Sequence, residues 1–256
     1  MSNLINKYKI SLIFFFFILF LNYSKTPYIF QNGRFIENDA IHYANALNSS
    51  WSEVVFLIYW AAGYLNFFAN INSFLNSRFI SLEYASLFNI YFSFIIVVLI
   101  HIFILFTKSD FLKNFKEKFL ASILITISPI FVFEIWLDSM NAQIYLCLLA
   151  FFILFTQHNL FTKICSPIIL IISGLSGVYS CLLAPLFYYK YYKSRSIINK
   201  LNFLILLISS ITQFSIIIFS KLSNNLSPGK LNLNFFLNYN EIESFVYNII
   251  IRPFLS

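Results

Sequence analysis

From Ser86 to Phe106 the chain runs through 21 residues without an Asp, Glu, Lys or Arg. As a helix, such a run rises about 30 Å, the thickness of a bilayer's hydrocarbon core. Leu201–Ser220 is a second run of the same kind. Shorter apolar stretches lie at 10–22, 119–136 and 142–156. With 59% hydrophobic and only 11% charged residues, the chain has too little polar surface to wrap these segments in water. The pattern predicts an all-α integral membrane protein, a polytopic helical bundle forming a single membrane domain over 1–256. The 34 Phe and 16 Tyr then read as apolar filler that lipid tolerates.

Sidedness follows from the basic residues. The net charge of +7 sits in short loops between apolar segments, as the positive-inside rule requires, so a nucleic-acid partner is set aside. Lys7 and Lys9 put the N-terminus in the cytoplasm, and Asn22-Tyr23-Ser24 offers no small-x-small cleavage site. Residues 24–78 are expected outside, with interfacial helices. Glu53–Ile71 is apolar enough to suggest a crossing, but Gly63, Asn66 and Asn70 interrupt it. Lys108, Lys113, Lys116 and Lys118 mark an inner loop, and Leu137–Asn141, which has no Lys or Arg, an outer one.

The inner cluster Lys190, Lys193, Arg195 and Lys200 demands that 164–189 enter and return. Two short helices broken at Ser173-Gly174-Leu175-Ser176-Gly177 satisfy this. The alternative is one kinked span with an exceptional basic exterior loop. A broken pair also exposes helix-terminal amides to charged ligands. After the span at 201–220 comes an outer loop with the turn Ser227-Pro228-Gly229, and 242–255 is a partial apolar segment. Cys147, Cys165 and Cys181 lie within apolar stretches without CxxC spacing and read as small hydrophobes.

This topology gathers Glu37, Asn38, Asp39, His42, Arg78, Glu134, Asp138, Asn141 and Gln143 at the outer face, with the Gly174–Gly177 tip approaching from below. A carboxylate at Glu134, inside the end of an apolar helix, marks function or a specific partner. A carboxylate base with nearby amides and a cation is what transfer of a sugar to a hydroxyl or amide acceptor needs. Each residue also has a plainer role. Asp39 caps a helix beginning at Ala40, His42 is a hydrogen-bonded interface residue, Arg78 is an interfacial anchor, and Asn141 and Gln143 terminate a helix. No metal, P-loop, GxSxG or dinucleotide motif is present.

The arrangement resembles the C-type glycosyltransferase (GT-C) superfamily, and within it a group of bacterial polysaccharide-locus membrane proteins. Asn38-Asp39-Ala40 followed by Asn45-Ala46 is similar to that group's Glu-Asp-Gly/Ala and Gln-Ala. Gly63-Tyr64-Leu65 with Arg78, Asn141-Ala142-Gln143, and Gly174-Leu175-Ser176-Gly177-Val178-Tyr179-Ser180 resemble its other motifs. Asn38, Ser77 and Val178 stand where an acid and two prolines are usual.

The resemblance implies transfer from a polyprenyl-phosphate-linked sugar on the outer face of the cytoplasmic membrane, in cell-envelope polysaccharide or glycolipid assembly. Asp39 would be the base or an acceptor-orienting carboxylate, and Arg78 a phosphate clamp. Asn141 and Gln143 would hydrogen-bond the sugar, Gly174, Ser176 and Gly177 would contact the carrier head, and Asn38, His42 and Glu134 would complete the substrate-binding set. No cofactor is fixed by the resemblance, and a divalent metal is left open. Membrane lipid and the lipid-linked donor are the expected partners. A permease or flippase, a polysaccharide polymerase of the same pathway, and a shortened inactive relative are the competing readings.

Overall fold

The computed structural model describes residues 2–35, 37–60, 62–128 and 137–223, with side chains from residue 9 onward except those of Glu37 and Asn38. It is almost entirely helical. α1 (Ser2–Lys25) and α2 (Pro27–Asn32) run antiparallel to α6 (Leu82–Phe106). The rings of Phe15 and Phe106 pack at one end of this pair, 5.7 Å apart, and those of Phe30 and Phe94 further along, 5.1 Å apart. Between α2 and α6 come α3 (Glu37–Asn48), α4 (Trp51–Val55), a hairpin of two-residue strands, β1 (Ile58–Tyr59) and β2 (Tyr64–Leu65), and α5 (Phe67–Phe79).

α7 (Phe115–Ile127) and α8 (Ala142–Phe155) pack on α6. α9 (Leu160–Leu175), a 3-10 turn at Ser180–Leu183, α10 (Ala184–Ser194) and α11 (Ile197–Leu222) complete the described residues. The core runs through Ile90 and Ile100 of α6, Leu149 of α8, Leu170 of α9 and Leu206 of α11, all fully buried.

Among the described residues two helices, α6 and α11, are long and apolar enough to cross a membrane. The exterior is apolar as well. Ile13 and Phe20 on α1, Leu124 on α7 and Ile208, Ile211 and Ile218 on α11 are each more than half exposed. Apolar side chains spread over three helix exteriors are unfavourable against water and suited to lipid.

The segment expected to break at Ser173–Gly177 does form two helices, with different bounds. α9 begins at Leu160 and holds through Leu175, and α10 extends to Ser194. The break falls in the C-terminal half of the glycine-serine tip, where α9 ends at Leu175 and Gly177 takes φ 127°, a conformation open to glycine. α10 returns toward the start of α9, because the Lys190 ammonium donates to the carbonyls of Leu154 and Thr156. At 14 and 16 residues, α8 and α9 are shorter than the 17–25 or so of a full crossing.

The hairpin was not apparent in the sequence. Of the expected span at 119–136, only the part to Ile127 is described as helix. Its second half, and the segments at 227–229 and 242–255, lie outside the described residues.

Candidate functional site

α3 buries Asp39, His42, Tyr43 and Ala46, the i, i+3, i+4, i+7 stripe of a helix packed on one side. Since α3 begins at Glu37, Asp39 lies within its first turn and does not cap it. Its carboxylate is used across the fold instead. Oδ2 accepts the Nδ2 donor of Asn89 on α6 at 2.9 Å, and Oδ1 accepts the Ser139 hydroxyl at 2.8 Å. Asn89 is held in turn by the Nδ2 donor of Asn72 on α5 and itself donates to the Arg34 carbonyl at 3.2 Å.

The loop 137–141 brings a second carboxyl. Asp138, nearly fully buried, accepts from the backbone N–H groups of Met140 (3.1 Å) and Asn141 (3.2 Å) and from Asn141 Nδ2 (2.6 Å). The Asp39 carboxylate lies close enough to act on it electrostatically. Burial first, and then the Asp39 carboxylate, push the Asp138 pKa well above the ordinary carboxylate range. The Asp138 carboxyl therefore holds its proton more tightly than an ordinary carboxylic acid.

A cation stands beside them. Burial lowers the pKa of Arg34, and the charges of Asp138 and Asp39 oppose the shift. Arg34 is brought there by Gly33, where the chain turns with φ 72° against α6. A Cβ at Gly33 would lie 2.4 Å from the Leu87 backbone nitrogen.

His42 lies one turn along α3 from Asp39. Burial lowers its pKa, and the Asp39 charge partly offsets this. Its ring is 5.3 Å from that of Tyr59. It also lines a cavity of about 300 Å³ with Asn45, Ser49 and Glu53.

A second tier supports the 137–141 loop. Asn66 Nδ2 donates to the Met140 carbonyl at 2.8 Å, and Gln143 Nε2 to the Tyr64 hydroxyl at 3.3 Å. Gly177 lies directly on Gln143, where an added Cβ would come within 1.9 Å of Oε1. The Ser176 hydroxyl accepts the Phe68 N–H at 2.9 Å. Gly174 packs on Ser209 of α11, and its carbonyl accepts from Gln213 Nε2 at 3.3 Å.

The glycine-serine tip is therefore packed beneath the hairpin, with Ser176 fully buried, where an open carrier contact was expected. Asn141 donates to Asp138 in place of capping α8 with its side chain. Arg78 is not brought to the carboxylates. It donates to the Ser49 carbonyl, ten residues beyond Asp39 and so about 15 Å along α3. The Asn38 side chain and Glu134 lie outside the described residues.

Arg34, Asn89 and Ser139 complete the cluster and were not singled out in the sequence, and Asp138 was noted only for its side of the membrane. A signal existed for Arg34, one of three cations, with Lys25 and Arg78, in the 24–78 segment that holds Asp39. For Asn89 the signal was an amide inside a 21-residue apolar run.

Beneath the cluster the surface turns apolar. A cleft of about 190 Å³ between α5, α6, α8 and α9 is lined by Phe68, Phe92, Ile95, Leu149 and Ile172. It adjoins a groove of about 400 Å³ along α6, with which it shares Phe92, Ile95 and Leu99. Phe92 is three residues below Asn89, so polar site and apolar groove meet within one helical turn.

Among the described residues no three His, Cys, Asp or Glu side chains form a metal-holding group. Both Asp39 oxygens accept hydrogen bonds, from Asn89 and Ser139. Compared with family models, curated proteins and solved structures, the chain matches none.

Proposed function

We propose that the protein is a multi-pass glycosyltransferase of the cytoplasmic membrane, with its N-terminus in the cytoplasm. It would use a polyprenyl-phosphate-linked sugar at the outer face. The observation that carries this reading is the Asp39–Asp138 pair beside Arg34, set one helical turn above an apolar groove on α6. A lipid-linked sugar has this layout: an apolar chain, an anionic phosphate and a neutral polar ring. The chain lies along Phe92, Ile95 and Leu99, and Arg34 takes the phosphate role first considered for Arg78.

As the acceptor oxygen bonds to the sugar's anomeric carbon, its proton passes to the carboxylate pair. The bond from sugar to phosphate breaks, and the phosphate keeps the electron pair, stabilised by Arg34.

The test is a mass-spectrometric profile of lipid-linked sugars in cells with the wild-type protein, without it, and with Asp39→Asn. Loss of the protein and Asp39→Asn should both accumulate the same polyprenyl-phosphate-linked sugar, with transfer slowed about 10²–10⁴-fold in the variant. A lipid profile unchanged by removing the protein would refute the assignment.

A second reading, a permease for the same lipid-linked sugar, has one observation in its favour. Deep between α1, α6 and α7, Asn22 Nδ2 lies 3.5 Å from Thr126 Oγ1, which lies 3.5 Å from His101 Nε2, all nearly or fully buried. Polar groups there are costly in lipid and are often functional. If this reading is right, His101→Phe abolishes movement of the lipid-linked sugar and Asp39→Asn does not.

A further inference from the structure

The end of the molecule opposite the carboxylates is built from three separate loops fastened to one another. Ser109 forms a β-bridge with Thr156, and the Gln157 N–H donates to the Lys108 carbonyl at 2.8 Å. His158 Nε2 is 2.8 Å from Asn199 Oδ1, and Asn199 Nδ2 donates to the Ser194 hydroxyl at 2.6 Å. Lys190 joins α10 to the same loops through the Thr156 carbonyl at 3.1 Å.

This fastening collects charge. The segments 108–118, 163 and 190–200 carry nine basic residues and two acidic ones, Asp110 and Glu117. Neither acid simply neutralises a neighbour. Glu117 accepts from the Lys113 and Asn114 N–H groups at the start of α7, and Asp110 accepts from Gln157 Nε2 at 2.7 Å. Lys163, Lys193, Arg195 and Lys200 are exposed.

Aromatic side chains flank the charge. α10 leaves Tyr188, Tyr189 and Tyr192 half exposed or more, and the Arg195 guanidinium lies 4.9 Å from the centre of the Tyr192 ring. An apolar ring with a polar tip, interleaved with Lys and Arg, suits the boundary between acyl chains and headgroups. Juxtamembrane basic clusters are drawn to anionic lipid.

We propose that this end binds the anionic phospholipid headgroups of the leaflet it faces, with the C-terminal end of α10 reaching the headgroup layer. The proposal rests on the membrane placement above but not on sugar transfer. It gives the basic residues a partner, beyond their role in setting orientation.

The test places the full chain in nanodiscs of phosphatidylcholine with phosphatidylglycerol and counts retained lipid by native mass spectrometry. Wild-type protein should retain phosphatidylglycerol in preference, and added salt should weaken that preference. The triple variant Lys193→Gln/Arg195→Gln/Lys200→Gln should reduce it about fivefold or more. Lys221→Gln, at the far end of α11, should leave it unchanged. Equal retention of the two lipids by wild-type protein, or salt-insensitive retention, overturns the proposal. Capture of polyuridylic acid in preference to phosphatidylglycerol does so too. If alkaline washing strips the chain from vesicles, the membrane placement fails and this proposal with it. If the chain resists washing yet shows no lipid preference, only this proposal fails.

Discussion

Asp138 sets the behaviour expected at the level of single residues. A carboxyl whose folded pKa lies above its unfolded value binds more protons in the native state than in the unfolded one. Its contribution to stability is present at low pH, begins to fall near the ordinary carboxylate pKa of about 4, and is lost as pH rises through the raised folded value. The thermal midpoint of the wild-type protein in detergent should therefore decline from mildly acid to alkaline pH. Asp138→Asn should flatten that decline, because an amide cannot ionise, although its one oxygen can accept from Met140 or from Asn141 but not from both. An equally steep decline in the variant would place the cost elsewhere. Asp39→Asn should behave differently, since one of its oxygens becomes an amide group facing the Asn89 or Ser139 donor. A loss of about 1–3 kcal/mol is expected from that mismatch, measurable by thermal unfolding.

At the level of elements, the 174–177 tip and the hairpin stand or fall together. Gln213 on α11 accepts the Leu65 N–H at 3.0 Å, and its Nε2 donates to the Leu65 carbonyl at 2.9 Å. Replacing it with Leu leaves two buried backbone groups unpaired, at about 1–3 kcal/mol each, and should lower the unfolding midpoint and open the hairpin to hydrogen exchange. Gly177→Ala adds a Cβ against Gln143 at a backbone angle that L-residues rarely adopt, with a cost of about 1–3 kcal/mol.

The helices were legible in the sequence because apolar runs and their charged flanks repeat over many residues. α6 was expected from Ser86 and is helical from Leu82, and α11 was expected from Leu201 and is helical from Ile197. The two-residue strands were not, because so short a pairing has no period to detect and depends on a glutamine 148 residues away. The roles of Arg78 and Arg34 were not legible for a related reason. Both are cations in the same 24–78 segment, and only the packing of α3 on α5, and of Gly33 on α6, decides which meets the acids.

For the whole molecule, the sharpest check is sidedness. In a background lacking Cys147, Cys165 and Cys181, a cysteine at Ser194 should react with a membrane-impermeant maleimide only from the cytoplasmic side. One at Asn45 should react only from outside. Labelling of both positions from one side would end the proposed orientation and leave the basic face without its leaflet. The position of Asp39 also bears on how the protein is made. Its partners are Asn89, fifty residues downstream, and Ser139, a hundred downstream. At a synthesis rate of roughly 5–20 residues per second, Asp39 leaves the ribosome well before either partner exists. Until they arrive, its charge must be kept hydrated at the bilayer surface or shielded by the insertion machinery, so a stalled ribosome would leave a half-made chain with an acid it has no means to bury.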